Sequence, residues 1–168
     1  PEKIPHLKPA FSKQGTITAA NASSISDGAA ALILMRAETA AQLGLPVLAH
    51  LVGYQSHAAA PAEFTNAPIG AINALLSKID WRAEEVDLFE INEAFAMVSM
   101  LAMAGCNLPH DKVNVNGGAC ALGHPLGASG ARILVTLIHA LHARSLKRGV
   151  ASLCIGGGEA TAVAIELS

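Results

Sequence analysis

The sequence predicts a layered α/β domain in which helices cover both faces of a central sheet. Segments typical of buried strands alternate along the chain with segments typical of helices, the pattern of layered α/β folds. Hydrophobic residues make up 52% of the 168 residues and charged residues only 14%, whereas an average soluble domain has about 25% charged residues. This low charge indicates that part of the apolar surface contacts another protein.

The N-terminal part of the chain is predicted to begin with an irregular segment. Pro1–Lys13 is rich in proline and basic residues and has no periodicity, which is typical of a connector. A polar turn then leads into Ala29–Met35, an apolar run short enough to be a fully buried strand. Arg36–Leu43 is predicted to be a short helix that ends at Gly44.

Two strands and a helix are predicted next. Val47–His57 is rich in Val and Leu and alternates imperfectly, as a strand does. A loop over Pro61–Pro68 leads into a helix over Ile69–Ile79, and Val86–Ile91 forms the following strand.

A helix is predicted directly after that strand, with Asn92 as its N-cap and Gly105 as its end. The uncharged run Ala94–Leu108 is shorter than the roughly 20 residues that cross a bilayer, so we interpret it as a buried helix and expect no membrane segment. Val113–Val115 is predicted to be a brief strand.

The C-terminal part contains a glycine-rich loop, a helix and two strands. The loop covers Asn116–Gly130, and a helix is predicted over Ser129–Lys147. The strands Val150–Ile155 and Thr161–Leu167 are predicted to pair as a hairpin across the glycines between them. The helix places five apolar residues on one stripe: Ile133, Leu134, Leu137, Ile138 and Leu141.

Charge and cysteine usage exclude some partners. The formal charge is -2 and the basic residues are scattered, which argues against nucleic acid because phosphate binding needs clustered Lys and Arg. No basic segment precedes an apolar one, so we expect no signal peptide.

Cys106, Cys120 and Cys154 are unevenly spaced in apolar surroundings, which favours free thiols in a reducing, cytoplasmic compartment.

Three polar residues lie where strands end, the edge at which open α/β sheets bind ligands. These are Asn92, His124 and Cys154. Each has an ordinary structural alternative: a helix cap, a loop histidine and a small buried hydrophobe. Glycines around His124 permit close approach of a ligand. The glycines after Cys154 offer the bare N–H groups that an oxyanion hole requires.

Phosphate and metal chemistry are both disfavoured. Neither G-x-x-x-x-G-K-[ST] nor G-x-G-x-x-G occurs, so no standard phosphate loop is predicted. Cys106, His110, Cys120 and His124 could be imagined as zinc ligands, but they lack C-x-x-C or H-x-x-x-H spacing. We therefore predict no metal site.

Four segments together resemble the thiolases, the family of acetyl-CoA acetyltransferases and 3-ketoacyl-CoA thiolases. Their order and spacing also fit, and the resemblance covers essentially the whole chain. The segments are "NASSISDGAAALILM" (Asn21–Met35), "NEAFA" (Asn92–Ala96), "NVNGGACALGHPLGASGARI" (Asn114–Ile133) and "CIGGGEATA" (Cys154–Ala162).

The resemblance implies a fold of two similar βαβαβαββ halves, each with a mixed five-stranded sheet covered by helices. Residues 46–168 resemble the second half. Residues 1–45 resemble only the end of the first half, with a connector, a loop that contacts coenzyme A and one strand. Ser24 and Ser26 depart from the Gly and Asn that the family usually has there.

The nucleophilic cysteine of the family has no counterpart here, because none of Cys106, Cys120 and Cys154 lies in its sequence context. The chain is therefore predicted to be the C-terminal part of a thiolase. It is expected to need the missing N-terminal half, to form homo-oligomers and to be inactive by itself.

The resemblance also implies a role for each site residue. His124 would take the proton of the nucleophilic thiol, and Cys154 would move the α proton of the second thioester. Asn92, through a bound water, and His124 would stabilise the enolate, while the N–H of Gly156 would serve the second oxyanion site. The remaining residues would contact coenzyme A or the acyl group, namely Phe11, Ala19, Ser23, Phe64 and Phe95.

Two function classes follow. The first is an acyl-CoA C-acetyltransferase that performs Claisen condensation of acetyl-CoA or thiolysis of 3-ketoacyl-CoA, with coenzyme A thioesters as substrates and no tightly bound cofactor. The second is a noncatalytic module that keeps the fold for coenzyme A binding or assembly. Ketoacyl synthases are a weaker rival, because they place histidines where this chain has "NEAF" and "CIGGG".

Overall fold

A computed structural model describes all 168 residues of the chain. Its centre is one mixed sheet of four strands, in the order β1-β4-β3-β2. β2 and β3 are parallel, whereas β4 is antiparallel to both β1 and β3, so the predicted C-terminal hairpin is confirmed. The strands are β1 (His50–Ala58), β2 (Leu88–Ile91), β3 (Arg148–Cys154) and β4 (Glu159–Glu166).

The prediction of five strands is wrong, because the segment expected to form a further strand makes only one bridge. Val113 pairs with Phe89 beside β2, and the chain then turns at Asn114, whose φ is +48°. The Asn114 side chain accepts from the N–H of Ile91 at 2.8 Å and donates to its carbonyl at 2.9 Å. A side chain thus occupies the edge groups that another strand would pair with.

Five α-helices accompany the sheet. The short α1 ends just before Gly44, as predicted. Single 3-10 turns lie at Ile4–His6, Pro61–Glu63, Ala83–Glu85 and His110–Lys112. None of the helices is long and apolar enough to cross a membrane. The helices are α1 (Ala37–Gln42), α2 (Ala67–Lys78), α3 (Ala96–Cys106), α4 (Ala119–Leu122) and α5 (Ser129–Ala143).

Helices cover both faces of the sheet, as the sequence predicts. α2 and α3 pack with the larger core cluster, which includes Phe89 and Ile91 of β2. α5 packs on the opposite face with Leu88 of the same strand. This alternation follows from the two-residue period of a strand. It also directs Glu90, which shares the face of Leu88, toward Arg132 of α5.

The prediction of a fully buried strand over Ala29–Met35 is wrong. The segment forms no strand, and its apolar side chains are largely exposed: Ile33 is 89% and Leu34 is 74% accessible. A strand needs a hydrogen-bonded neighbour, and no segment of this chain pairs with these residues.

The helix after β2 begins later than predicted. Its first residue is Ala96, and Asn92 makes no capping bond, so the predicted cap at Asn92 is wrong. Gly105 lies within the helix rather than at its end, and a side chain there would collide with Ile69 of α2. The helix ends at Asn107, which adopts the left-handed conformation with φ 53°.

Candidate active site

Two of the three predicted catalytic residues lie at the carboxyl ends of the parallel strands, and the third reaches this edge from a loop. Asn92 directly follows β2, and Cys154 is the last residue of β3. The N–H of Asn92 donates to the Ser152 carbonyl at 2.9 Å, which joins the two strand ends. His124 enters the same edge from the glycine-rich loop, since its ring contacts Asn92.

The loop that carries His124 is held against an extended segment near the N-terminus. The N–H of His124 donates to the Ser24 carbonyl at 2.9 Å, and His124 forms one parallel bridge with Ile25. Gly123 has a φ of +93°, and a side chain at this position would collide with Ser26 Oγ. Glycine is therefore required beside the histidine, both for backbone conformation and for close approach.

Hydrogen bonds on both ring nitrogens orient the His124 imidazole. Nδ1 lies 2.6 Å from Ser129 Oγ, and that hydroxyl donates its proton to the Pro125 carbonyl at 3.1 Å. With its proton on that carbonyl, the hydroxyl can accept from Nδ1–H, and this arrangement leaves the lone pair on Nε2. Nε2 faces the Asn92 amide nitrogen at 3.4 Å. This is the tautomer that a proton-accepting Nε2 needs.

The surroundings of His124 favour its neutral form. Burial lowers the pKa of the imidazole, and the positive charge of Arg132 lowers it further. Near neutral pH the ring is therefore uncharged and able to accept a proton.

The Cys154 thiol is buried and free of any disulfide. Burial raises the pKa of this thiol, so it carries its proton near neutral pH. It makes no hydrogen bond with His124 or Asn92, which do contact each other. After it, Ile155 N–H donates to the Glu159 carbonyl at 2.7 Å, whereas the N–H of Gly156 donates to no group of the chain. A free backbone donor thus lies beside a protonated thiol.

Most of the residues predicted to contact coenzyme A or the acyl group lie close to Phe95. The N–H and Oγ of Ser23 both donate to the carbonyl that precedes Phe95, at 3.1 and 2.9 Å. The Phe95 ring makes edge contacts with Phe11 and Phe64, at centroid distances of 5.9 and 6.2 Å. Ala19 lies apart from these contacts in an exposed turn.

The chain has no group of three or more His, Cys, Asp or Glu side chains placed to hold a metal ion. Its reactive groups at the sheet edge are an imidazole, a thiol, a carboxamide and a backbone N–H. Together these can move protons and stabilise a developing oxyanion.

Comparison with known proteins shows the family of the chain. The family model of the thiolase C-terminal domain matches residues 45–167, and that of the thiolase N-terminal domain matches residues 1–38. The chain belongs to the thiolase family. The resemblance drawn from the sequence motifs is thus confirmed.

Solved thiolases share the fold closely. The acetyl-CoA acetyltransferase of Bacillus anthracis superposes with a TM-score of 0.96 and 48% identity, over 99% of this chain and 42% of that one. Human mitochondrial 3-ketoacyl-CoA thiolase in complex with CoA gives a TM-score of 0.90 and 37% identity, over 99% of this chain and 42% of that one.

Curated relatives belong to the same family and match over a similar share of their length. The acetyl-CoA acetyltransferase of Pseudomonas aeruginosa is 50% identical over 164 residues, which are 98% of this chain and 42% of the relative. The chain thus spans about two fifths of the length of the curated thiolases it matches.

Two residues next to the candidate site escaped the sequence analysis. Ser129 holds the His124 ring, and its only sequence signal is a small polar residue at the start of the helix after the histidine. Glu93, within the motif of Asn92, accepts from the Asn114 amide at 3.1 Å and from the Cys120 N–H at 3.2 Å. Glu93 therefore anchors the glycine-rich loop to the end of β2.

Proposed function

We propose that this chain supplies the proton-transfer and oxyanion groups of a thiolase that moves acetyl or acyl groups between coenzyme A thioesters. The observation that carries the proposal is the His124 imidazole, held between Ser129 and Asn92 by contacts on both ring nitrogens. The reaction is the Claisen condensation of acetyl-CoA or its reverse, the thiolysis of 3-ketoacyl-CoA.

In the first half-reaction, His124 Nε2 takes the proton of a nucleophilic cysteine outside the present 168 residues. The thiolate attacks the thioester carbonyl, and coenzyme A leaves as the thiol when the tetrahedral intermediate collapses, because its sulfur takes the proton of Cys154. The N–H of Gly156, which has no partner within the chain, donates to the oxyanion of that intermediate.

In the second half-reaction, the Cys154 thiolate left by that proton transfer removes the α proton of the second acetyl-CoA, and in thiolysis the Cys154 thiol returns it. Such protons are weakly acidic, so the enolate oxygen needs hydrogen-bond donors. Asn92 and His124 are close enough to each other, at 3.4 Å, to serve one oxygen. His124 donates the Nε2 proton that it took from the nucleophilic thiol, and Asn92 acts through a bound water. Burial of the Cys154 thiol suits a proton carrier better than a permanent thiolate.

Coenzyme A thioesters are the proposed substrates, with no tightly bound cofactor. Relatives named for acetyl-CoA and thiolase structures with coenzyme A bound support this class. Ser23, Phe11 and Ala19 are proposed to line the path of coenzyme A, and Phe64 and Phe95 to border the acyl group. The contacts of Phe95 with Phe11 and Phe64 connect the proposed coenzyme A path with the proposed acyl site.

The proposal also covers the domain boundaries, partners and location of the chain. Residues 1–45 are the end of a thiolase N-terminal half and residues 46–168 the C-terminal domain. The rest of the N-terminal half and further copies of the chain are its partners, without nucleic acid or membrane. The three free thiols support a cytoplasmic location. The isolated chain lacks a nucleophile in this scheme, so it is inactive.

A hybrid enzyme tests the function directly. The hybrid enzyme is the Bacillus anthracis acetyl-CoA acetyltransferase in which the superposed 42% of its chain is replaced by the present 168 residues. We expect the hybrid enzyme to thiolyse acetoacetyl-CoA, and its His124→Ala variant to be inactive although folded. A folded hybrid enzyme that binds coenzyme A without turnover would instead identify the chain as a noncatalytic module.

A further inference from the structure

A pair of charged residues, one buried and one partly buried, lies directly behind the proposed site. Glu90 of β2 is only 1% exposed, and its carboxylate lies 3.5 Å from the guanidinium of Arg132 in α5. Neither carboxylate oxygen has a hydrogen-bond partner, nor does Nε of Arg132. Buried polar groups are almost always paired, so this cluster requires an explanation.

All buried side-chain nitrogen and oxygen atoms without a hydrogen-bond partner belong to Glu90, Asn92 and Arg132. The unpaired atoms of the fold are thus concentrated at and next to one proposed catalytic residue. A buried ion pair contributes little net stability, because the loss of hydration offsets the attraction between its charges. Stability alone therefore gives no reason to place the pair here.

The Glu90–Arg132 pair and the proposed site both connect β2 with α5. Glu90 precedes Asn92 by two residues, so both side chains leave β2 on the same face, roughly 7 Å apart along the strand. Arg132 follows Ser129 by three residues, so both lie on one side of α5, separated by about 4.5 Å along its axis. Ser129 binds His124, which faces Asn92. The contact between Glu90 and Arg132 is therefore the next contact behind the site.

We propose that Glu90 and Arg132 are positioning residues: they hold β2 against α5 so that the Asn92 amide meets Nε2 of His124. This inference rests on the proposed function of His124 and Asn92. Neither residue touches the reacting atoms in this proposal. Each acts through the neighbouring residue on its own element.

The charges of the pair also act on His124. The Arg132 cation lowers the pKa of the imidazole, in addition to the effect of burial. The groups that surround the pair are the carboxylate of Glu93 after β2 and the hydroxyl of Thr136 on α5, to which Arg132 donates at 3.4 Å. Loss of the Arg132 charge should therefore raise the pKa of His124, an effect that a purely structural role in the core would not predict.

The first experiment follows the His124 imidazole by NMR titration of the full 168-residue chain. We expect Arg132→Met to raise the pKa of His124 and Arg132→Lys, which keeps the charge, to restore most of the native value. Arg36→Met removes an exposed cation just before α1 and is the control. An unchanged His124 titration in Arg132→Met would overturn the electrostatic part of the proposal.

The second experiment measures kinetics in the hybrid enzyme. We expect Arg132→Met to lower kcat by about tenfold to a hundredfold with little change in KM, because misplacement by about 1 Å is costly at a reacting centre. The double variant Glu90→Gln/Arg132→Met leaves no unpaired buried charge, so it keeps the test valid if the single variant unfolds. A folded double variant with native kcat would refute the positioning role.

The two experiments separate this inference from the proposed function. A hybrid enzyme that is inactive with the native chain counts against the proposed function. The NMR titration of His124 then still decides whether Arg132 acts on the imidazole.

Discussion

The hydroxyl of Ser129 lies 2.6 Å from Nδ1 of His124, and its own proton goes to the Pro125 carbonyl. Ser129 is the first residue of α5 and is buried, so the helix itself sets the direction of the imidazole. The proposed catalytic residue is on a glycine-rich loop, but its orientation comes from a helix. This division explains how the imidazole of a loop residue is held in one orientation.

Ser129→Ala should therefore reduce catalysis by freeing the His124 ring. We expect kcat of the hybrid enzyme to fall by about tenfold to a hundredfold with little change in KM. The unpaired Nδ1–H should also lower the free energy of unfolding by about 1–3 kcal/mol. Steady-state kinetics and urea denaturation measure the two effects. Ser145→Ala, at an exposed position, is the control, and equal kinetic loss in both variants would contradict the orienting role.

Cys154→Ala should separate the two half-reactions. Condensation should fall by about 10²–10⁴-fold, the usual contribution of general acid–base catalysis. Acyl transfer onto the enzyme should remain detectable as isotope exchange between acetyl-CoA and labelled coenzyme A, because it uses the other thiol. Cys106→Ala removes another buried thiol, in α3, and should leave both rates nearly native. Near-native condensation in Cys154→Ala would disprove its proton-transfer role.

Asn92→Asp should shift the pH dependence of the hybrid enzyme. A carboxylate at this position would lie close to Nε2 of His124, which faces the amide at 3.4 Å. A nearby negative charge favours the imidazolium form and so raises the pKa of His124. The base needs the neutral ring, so the acid limb of kcat/KM should move to higher pH. Asn73→Asp, on the exposed side of α2, is the control. An unmoved acid limb would show that Asn92 and His124 do not interact in the working enzyme.

Glu90 should make the chain less stable as the pH rises. Burial raises its pKa from 4.5 to about 7, although the Arg132 cation opposes the shift. The folded state then binds more protons than the unfolded state between these values, so the free energy of unfolding falls as pH increases through this window.

Glu90→Gln mimics the protonated carboxyl and should abolish this pH dependence. Its stability relative to the native chain should be unchanged near pH 4 and should rise by about 3 kcal/mol above pH 7, at 1.36 kcal/mol per pKa unit. Urea denaturation across this range measures the difference. Glu84→Gln, at an exposed position, is the control. A pH-independent difference would mean that Glu90 titrates normally.

The exposed apolar segment Ala29–Met35 should make the chain self-associate. Ile33 and Leu34 are mostly exposed, and burying apolar surface is favourable by about 25 cal/mol per Å². Light scattering of the purified chain should show oligomers at micromolar concentration. The double variant Ile33→Gln/Leu34→Gln should shift the distribution toward the monomer, whereas Ile4→Gln in the N-terminal turn should not. A native monomer at these concentrations would refute this prediction.

Much of the fold could be predicted from local sequence patterns. The alternation of strands and helices, the C-terminal hairpin and the end of α1 at Gly44 all depend on periodicity or on a single residue's backbone preference. The placement of Asn92, His124 and Cys154 at one edge also followed, because parallel strands carry their carboxyl ends to the same side. For these features, neighbouring residues already contain the necessary information.

The remaining features were decided by contacts between distant parts of the chain. Asn114 competes for the backbone of Ile91 and so keeps the sheet at four strands. Ala29–Met35 has strand-like composition but no neighbour in this chain to pair with. Asn92 became a partner of His124 rather than a helix cap because α3 begins at Ala96. A sequence pattern records what each segment prefers, whereas hydrogen-bond partners and burial depend on which segments pack together.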